Sequence, residues 1–343
     1  MSSPNSAVDA PNPQLVWDTL NAYQRTAALK AAIDLDLFTA IGAGNNTAGA
    51  LARACNASVR GVRILCDYLT VVGLLSKSVD GYSLNATSAA FLDRGSPAAM
   101  NSVSRFVNSP KLMAGFENLT QTVRQGTTQL PQEGFIAKEF EGWITFSEAM
   151  GPMMRDASVF IAEEVARDAG EGPLRVLDIA AGHGLFGIAV AQRLPQANIV
   201  ALDWPAVLAT ARRNADAAGI ASRYTELPGD AFSVNLGSGY GVVLLTNFLH
   251  HFDPQGCVRL LKRIHASLVP GGKLITLEFV PNEDRVTPPI PASFSMMMLG
   301  VTPAGDAYTF GEHREMLREA GFSDARLLDV PRSPQQLVIS KSA

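Results

Sequence analysis

Residues 175–203 read RVLDIAAGHGLFGIAVAQRLPQANIVALD, and this stretch decides the fold. An apolar run of strand length (175–180) leads into GHGLFG (182–187), then a helix-like segment to about 194 and a second apolar run, NIVALD (198–203). Strand, glycine-rich turn, helix and second strand make a parallel βαβ unit. The glycines indicate that the backbone approaches something closely and that a helix N-terminus faces a polar ligand. Toward the C-terminus the alternation continues: a helix over 205–218, SRYTELP (222–228), YGVVLLTN (240–247), a helix over about 254–268 and KLITLEFV (273–280). Such unbroken apolar runs suit strands covered on both faces. The tight turn Val269-Pro-Gly-Gly-Lys273 feeds the fifth strand. After Gly311 come one more helix, EHREMLREAGF, and the runs ARLLDV (325–330) and QQLVISK (335–341). Too few residues separate these two runs for a crossover, so they should form an antiparallel hairpin.

Toward the N-terminus the texture is helical. Residues 1 to about 12 read as a frayed tail. From Pro13, Leu15, Leu20, Tyr23, Ala27, Leu29, Ile33 and Leu37 recur at three- and four-residue steps, as on amphipathic helices. Helices over 47–54 and 58–72, the second capped by Ser58, precede a hairpin turning at Asp80-Gly81. Helix, helix and hairpin outline a winged helix. Within residues 1–100, Arg25, Lys30, Arg53, Arg60, Arg63, Lys77 and Arg94 balance Asp9, Asp18, Asp34, Asp36, Asp67, Asp80 and Asp93. Phosphate contacts dominate DNA affinity, so a neutral domain reads as a packing or dimerisation module rather than a DNA-binding regulator. Residues 100–170 read as all-helical and rich in Met and Phe, above all FEGWITFSEAMGPMMRDASVF (140–160). The expected division is 13–100, a helical link over 101–170 that contributes to a pocket, and 171–343.

Composition narrows the function. The 343 residues are 47% hydrophobic and only 17% charged, with a net charge of −4, which excludes a disordered chain and a strongly basic partner surface. Mean hydropathy is +0.11, yet GVVLLTNFL (241–249) and SFSMMMLGV (293–301) fall well short of the ~20 residues of a spanning helix. The N-terminus lacks a secretory pattern, and Cys55, Cys66 and Cys257 are widely spaced, as free thiols in a reducing compartment are. A cytoplasmic location without membrane or nucleic-acid partners is expected, and no Cys/His spacing points to a metal.

GHGLFG with Asp203 at the end of the second strand also fits a nicotinamide-dinucleotide dehydrogenase, the Asp holding a ribose. Three features point elsewhere. Asp178, inside the first strand, would face the cationic end of a ligand, or else bond to loop amides. Asp230, in PGDAF (228–232), stands where a carboxylate accepts from an adenine amino group. The terminal antiparallel hairpin is foreign to a dehydrogenase.

VLDIAAGHG, VALDWP, PGDAF, LLTNFLHHFD, LVPGGKL and the Glu278 strand together resemble the class I S-adenosylmethionine-dependent methyltransferases. The whole chain resembles the small-molecule O-methyltransferases that include plant caffeate and bacterial acetylserotonin-type enzymes. The resemblance implies a Rossmann-like seven-stranded α/β domain behind a mainly helical winged-helix domain through which two copies pair. It implies S-adenosyl-L-methionine (SAM) as methyl donor and S-adenosyl-L-homocysteine (SAH) as product. The loop at Gly182 then meets the methionine part, Asp203 the ribose, and Asp230 with Phe232 the adenine. Asp178, Gly184, Trp204, Ala231 and Asn247 complete the expected cofactor surroundings.

Methyl transfer from a sulfonium is an in-line displacement, so positioning supplies much of the rate. A hydroxyl acceptor must also lose a proton, and histidine suits that near neutral pH. In NFLHHFD (247–253) the family's catalytic histidine matches His250, with His251 where the family is usually acidic. Glu278 matches the acidic residue that orients the base. Two departures stand out: Ala307 replaces a second acidic residue, leaving Asp306 or Tyr308 to compensate or one carboxylate to suffice, and Thr246 replaces an adenine-contacting Lys. C-methylation, or a non-methylating use of the bound cofactor, is the alternative on this scaffold. The expected acceptor wall is Trp143, Phe146, Met150, Met153, Met154, Phe294, Met297, Met298 and Thr302, of which Met298 and Thr302 match substrate-facing family positions.

Overall fold

The computed structural model describes residues 11–138 and 140–342. They divide into two compact units, one ending at Ser104 and one beginning at Arg105.

In the first unit, helices Gln14–Leu20, Ala22–Asp34, Leu37–Gly42, Ala48–Ala54 and Val59–Val71 precede an antiparallel hairpin of β1 (Leu75–Ser78) and β2 (Gly81–Leu84). The caps follow the sequence. Thr47 accepts from the Ala50 amide at 3.2 Å, and Ser58 from the Gly61 amide at 3.0 Å, each satisfying a first-turn donor. Phe38, Leu51, Val62, Leu69 and Tyr82 close a core of their own. The first helix, Gln14–Leu20, buries nothing: Leu15, Trp17 and Leu20 are 77%, 66% and 66% exposed.

The second unit carries β3 (Leu174–Ile179), β4 (Ala197–Asp203), β5 (Tyr224–Pro228), β6 (Tyr240–Thr246), β7 (Leu268–Glu278), β8 (Phe322–Asp329) and β9 (Gln336–Ser342). These form one seven-stranded sheet in the order β5-β4-β3-β6-β7-β9-β8. The first five strands in that order are parallel; β9 runs antiparallel to both neighbours. The terminal hairpin is thus as expected. The turn at 269–272 lies inside β7, where the register jumps from Tyr240 opposite Leu268 to Val242 opposite Lys273. Strand order reverses at β3, whose neighbours are β4 and β6, and open α/β sheets bind ligands outside the carboxyl ends of strands at such a point. Helices Gly142–Ala149 and Gly151–Arg167 belong to this unit and bring the Met- and Phe-rich segment to it. Among the described residues no helix is long and apolar enough to cross a membrane.

Candidate active site

The loop after β3 takes a conformation few residues tolerate. Ala180, Gly182 and Gly184 have φ of 54°, 58° and 74°, in the left-handed region that favours glycine. At Gly184 space is also short: a Cβ there would stand 2.7 Å from the Tyr224 hydroxyl and 3.0 Å from the Ala211 Cβ. Gly182 has no such crowding and lies on the wall of a cavity of about 500 Å³ at the carboxyl edge of the sheet, whereas Gly184 is off that wall. The first glycine opens the loop to a ligand, and the second lets the loop pack.

Asp178 is placed differently from expectation. It is fully buried beneath the loop, its Oδ2 accepts from the Gly187 amide at 3.0 Å, and it is not part of the cavity wall. Among the described residues Oδ1 has no partner. The ligand-facing reading of this carboxylate is not the one observed: it bonds a backbone amide, that of Gly187 in the first turn of the helix Leu185–Arg193, which packs over it. Burial pushes its carboxyl up to about 8 against the Gly187 amide, with Asp203 adding to the rise. An acid raised on folding costs nothing below its ordinary value and destabilises progressively as pH climbs to the raised value, beyond which the penalty is constant. Asp178→Asn keeps an oxygen for the Gly187 amide and removes the ionisation. The native protein's Tm is therefore expected to fall relative to the variant's between pH 5 and pH 8, by about 2–4 °C for each kcal/mol of penalty. Thermal scans at the two pH values check this, and parallel curves would contradict it.

Asp203, at the end of β4, does line the cavity. Its Oδ2 accepts from the Gly182 amide at 2.8 Å and its Oδ1 from the Trp204 amide at 2.7 Å. Burial lifts it to about 6, the two amides opposing. Asp230 accepts from the Phe232 amide at 2.9 Å. Trp204, Asp230, Ala231, Phe232 and Asn247 share the same wall. The Phe232 ring lies 4.7 Å from that of Phe252 and 6.4 Å from that of Phe248, a cluster suited to a flat base.

The loop after β6 carries the two histidines. The ring of His250 is buried on the cavity wall, and its Nδ1 lies in a very short contact with Glu278 Oε2. The other carboxylate oxygen, Oε1, accepts from the Phe248 and Leu249 amides at 3.1 and 2.9 Å. Burial alone would raise Glu278; the adjoining His250 imidazole, with smaller help from His313 and the Phe248 amide, reverses this and holds it below the usual carboxylate value. An ionised Glu278 fixes the proton of His250 on Nδ1 and leaves Nε2 as a base. Neither candidate for compensation reaches this pair. Asp306 is bound to Arg285 at 3.1 Å and to the Ala307 amide, and the Tyr308 hydroxyl donates to the Phe252 carbonyl. Among the described residues Glu278 alone bonds the His250 imidazole.

The expected acceptor wall is largely assembled. Trp143, Phe146, Met150, Met153 and Met154 come from the helical segment, and Phe294, Met297 and Met298 from the helix Pro289–Val301. Thr302 is the exception: it is off the wall, its hydroxyl donating to the Met298 carbonyl at 2.7 Å and accepting from the Gly305 amide at 2.9 Å. It finishes the helix C-terminus, where carbonyls lack intrahelical partners, rather than facing a ligand.

Several wall residues escaped the sequence reading. Phe248 and Phe252 flank the histidines and were legible as their neighbours. Phe106, Phe135 and Gln335 carry no local signal. Gln335 arrives from the β8–β9 connection, and its amide donates to Asn247 Oδ1 in a very short bond. Asn247 itself has φ of 54°. His183 lines the wall with its Nδ1 accepting from the Leu185 amide at 3.2 Å, and burial pushes its imidazole down to about 4.

Residues 116–323, more than half of the chain, match the family model of the O-methyltransferase domain. The chain belongs to the O-methyltransferase family. Residues 17–94 match the family's dimerisation domain. A solved structure of a candidate O-methyltransferase from Nostoc punctiforme shares 46% identity with TM-score 0.94, over 97% of this chain and 100% of that one. The 3-hydroxy-5-methyl-1-naphthoate 3-O-methyltransferase of Streptomyces sahachiroi is 29% identical over 324 residues, covering 92% of this chain and 90% of its own. The S-adenosyl-L-methionine-dependent methyltransferase PigF of a Serratia strain is 26% identical over 328 residues, 93% of each chain. Its structure with SAH matches at TM-score 0.85 and 25% identity, over 97% of this chain and 100% of that one. As an O-methyltransferase of this family the chain is a SAM-dependent enzyme. Its own residues fit that donor: carboxylates at Asp203 and Asp230, the Phe232 ring beside Phe248 and Phe252, and an uncrowded glycine at the loop.

Proposed function

We propose that this O-methyltransferase methylates a hydroxyl of a small, flat, largely apolar molecule, with His250 as general base and Glu278 as the group that positions it. The observation that carries the reading is the His250–Glu278 pair, with His250 buried at the wall of a cavity that Trp143, Phe146, Phe294 and several methionines also line. Within the family this reading groups the chain with the caffeate- and acetylserotonin-type enzymes, and the 27% identity to the mouse acetylserotonin O-methyltransferase supports it. SAM would be held by Asp203 at the ribose, Asp230 and Phe232 at the adenine, and the Gly182 loop at the methionine end, with Trp204, Ala231 and Asn247 around it. When bound it supplies an electrophilic methyl: the acceptor oxygen bonds to carbon, the carbon–sulfur bond breaks, and sulfur keeps the electron pair.

The chain's own residues do the rest. His250 Nε2 takes the hydroxyl proton as the oxygen attacks, and the ionised Glu278 stabilises the imidazolium that forms. The Phe294 ring meets the His250 ring edge-on at 4.9 Å and 82°, and with the methionines keeps water away and orients a flat acceptor. Few polar groups line this wall, so shape and the histidines decide what binds. Two copies would pair through the first unit, whose helix Gln14–Leu20 presents Leu15, Trp17 and Leu20 to solvent, a patch of the kind that marks an interface.

Incubation with methyl-labelled SAM and a panel of phenols, aliphatic alcohols and isoprenoids, read by product mass, tests the reading. Label is expected on oxygen of aromatic hydroxyls. Label on carbon, or on none of the panel, would overturn it.

A further inference from the structure

The helix Pro289–Val301, which supplies Phe294, Met297 and Met298 to the cavity wall, is held very differently at its two ends. Its C-terminal end is buried. Gly300 and Val301 lie in the interior, the Thr128 hydroxyl donates to the Gly300 carbonyl at 2.6 Å, and the Thr128 amide donates to the Thr302 carbonyl at 3.3 Å. The N-terminal end has no such burial. Residues 282–290 are all exposed, and Pro288, at the N-cap position, has no side chain with which to cap the first turn.

What holds that end is a set of polar bonds from the turn 282–287. The Asp284 carboxylate accepts from the Val286 and Thr287 amides, each at 2.9 Å, and from the Thr287 hydroxyl at 2.6 Å. Between them Arg285 has φ of 56°, a left-handed conformation that costs a non-glycine residue and persists only where its surroundings fix it. Its guanidinium meets two carboxylates from beyond the helix, Asp306 at 3.1 Å and Glu312 in a very short contact. Asp306 is itself fixed by the Ala307 amide at 2.8 Å, and Glu312 by the capping box it forms with Thr309. Residue 285 precedes the wall helix and residue 306 follows it, so this ion pair clasps the base of a loop whose middle is the acceptor wall.

We propose that Arg285 is a specificity-determining positioning residue: by tying Asp306 and Glu312 to the turn before the wall helix, it holds Phe294 and Met297 where a flat acceptor packs. The proposal rests on the aromatic-hydroxyl reading above. Phe294, whose ring stacks on Phe279 at 4.1 Å and meets His250 edge-on, lies about one helical turn nearer the clasp than the buried Met298. A helix released at its exposed end and kept at its buried end displaces Phe294 more than Met298. The wall must then be ordered each time an acceptor binds, and that ordering lowers affinity. One exposed ion pair contributes little, but a planar guanidinium shared by two fixed carboxylates loses less entropy per bond. Asp306, the carboxylate beside Ala307, thereby serves the acceptor wall and not the base.

Arg285→Met and Asp306→Asn test this with 2-naphthol as acceptor; the Asn oxygen can still accept from the Ala307 amide. Each variant should raise the KM for 2-naphthol about three- to tenfold, with kcat within about twofold of native and the Kd for SAM, by calorimetry, unchanged. A loss of folded enzyme alone would lower kcat at constant KM. The double variant should match Arg285→Met, because Asp306 acts on the wall through Arg285. Arg285→Lys, which keeps the charge without the fork, should lie between native and Arg285→Met. The ratio of variant to native KM should shrink as NaCl rises from about 0.05 to about 0.5 M, since salt screens exposed ion pairs. A native KM in Arg285→Met, or a ratio indifferent to salt, overturns the inference while leaving the aromatic-hydroxyl reading intact. Failure of the native enzyme to methylate 2-naphthol or any other aromatic hydroxyl of the panel above overturns both.

Discussion

His250→Ala is expected to lower kcat by about 10²–10⁴-fold, the usual contribution of a positioned general base, while SAM binding stays within a few-fold of native. The imidazole is the one base whose partner, Glu278, is itself locked by two backbone amides, so no neighbour can take over at the same place. His251 does not substitute, because its Nδ1 meets the neutral Phe248 carbonyl, which stabilises an imidazolium far less than a carboxylate does, and burial with the nearby His250 holds it well below the usual imidazole value. Removing one partner of a buried ionic pair also destabilises. His250→Asn, whose amide can still donate to Glu278, separates that cost from the chemistry and should lose activity to the same extent. Calorimetry with SAM and single-turnover rates read the two effects. The loss should shrink for more acidic phenols, which need less help to ionise, and turnover near the native rate with an ordinary phenol would remove His250 from the base role.

Glu278→Gln should be nearly as severe, about 10²–10⁴-fold in kcat, for a reason of tautomer rather than charge alone. The Gln oxygen can keep the Phe248 and Leu249 amides, which places the amide NH2 against His250 Nδ1. Nδ1 must then accept, the proton moves to Nε2, and the base has no lone pair for the acceptor. Because the variant preserves shape and the two amide bonds, the Kd for SAM and the KM for the acceptor should change little. The pH profile distinguishes this from simple structural damage: activity should recover as pH rises toward the phenol's own ionisation, near 10 for an unperturbed phenol. A variant with native kcat, or one whose loss is the same at every pH, would show that Glu278 does not set the tautomer.

The buried His–Glu pair fits the presence of Ala307 where the family resemblance leads one to expect a second acidic residue. Ala307 is fully buried, and its neighbours Asp306 and Tyr308 are engaged with Arg285 and the Phe252 carbonyl. Among the described residues, one carboxylate, satisfied on both oxygens, is the whole of the support bonded to His250.

Much of this molecule was legible in its residues, because periodicity, turn glycines and caps act over a few positions. The βαβ pattern around GHGLFG, the capping Ser58 and the closing hairpin follow from such short-range rules, whereas His250 and Glu278 stood out through the resemblance to a family, and only the sheet order makes their strands neighbours. What a side chain faces once its backbone is placed depends on partners far away in sequence. Asp178 lies under the loop because a helix packs over it. Thr302 turns to its own helix end because carbonyls there need a donor, and Gln335 reaches Asn247 only because the last hairpin returns beside β7. Local sequence thus determined the elements and the chemistry at their ends. Tertiary packing decided which of those groups line the cavity and which of them support it from behind.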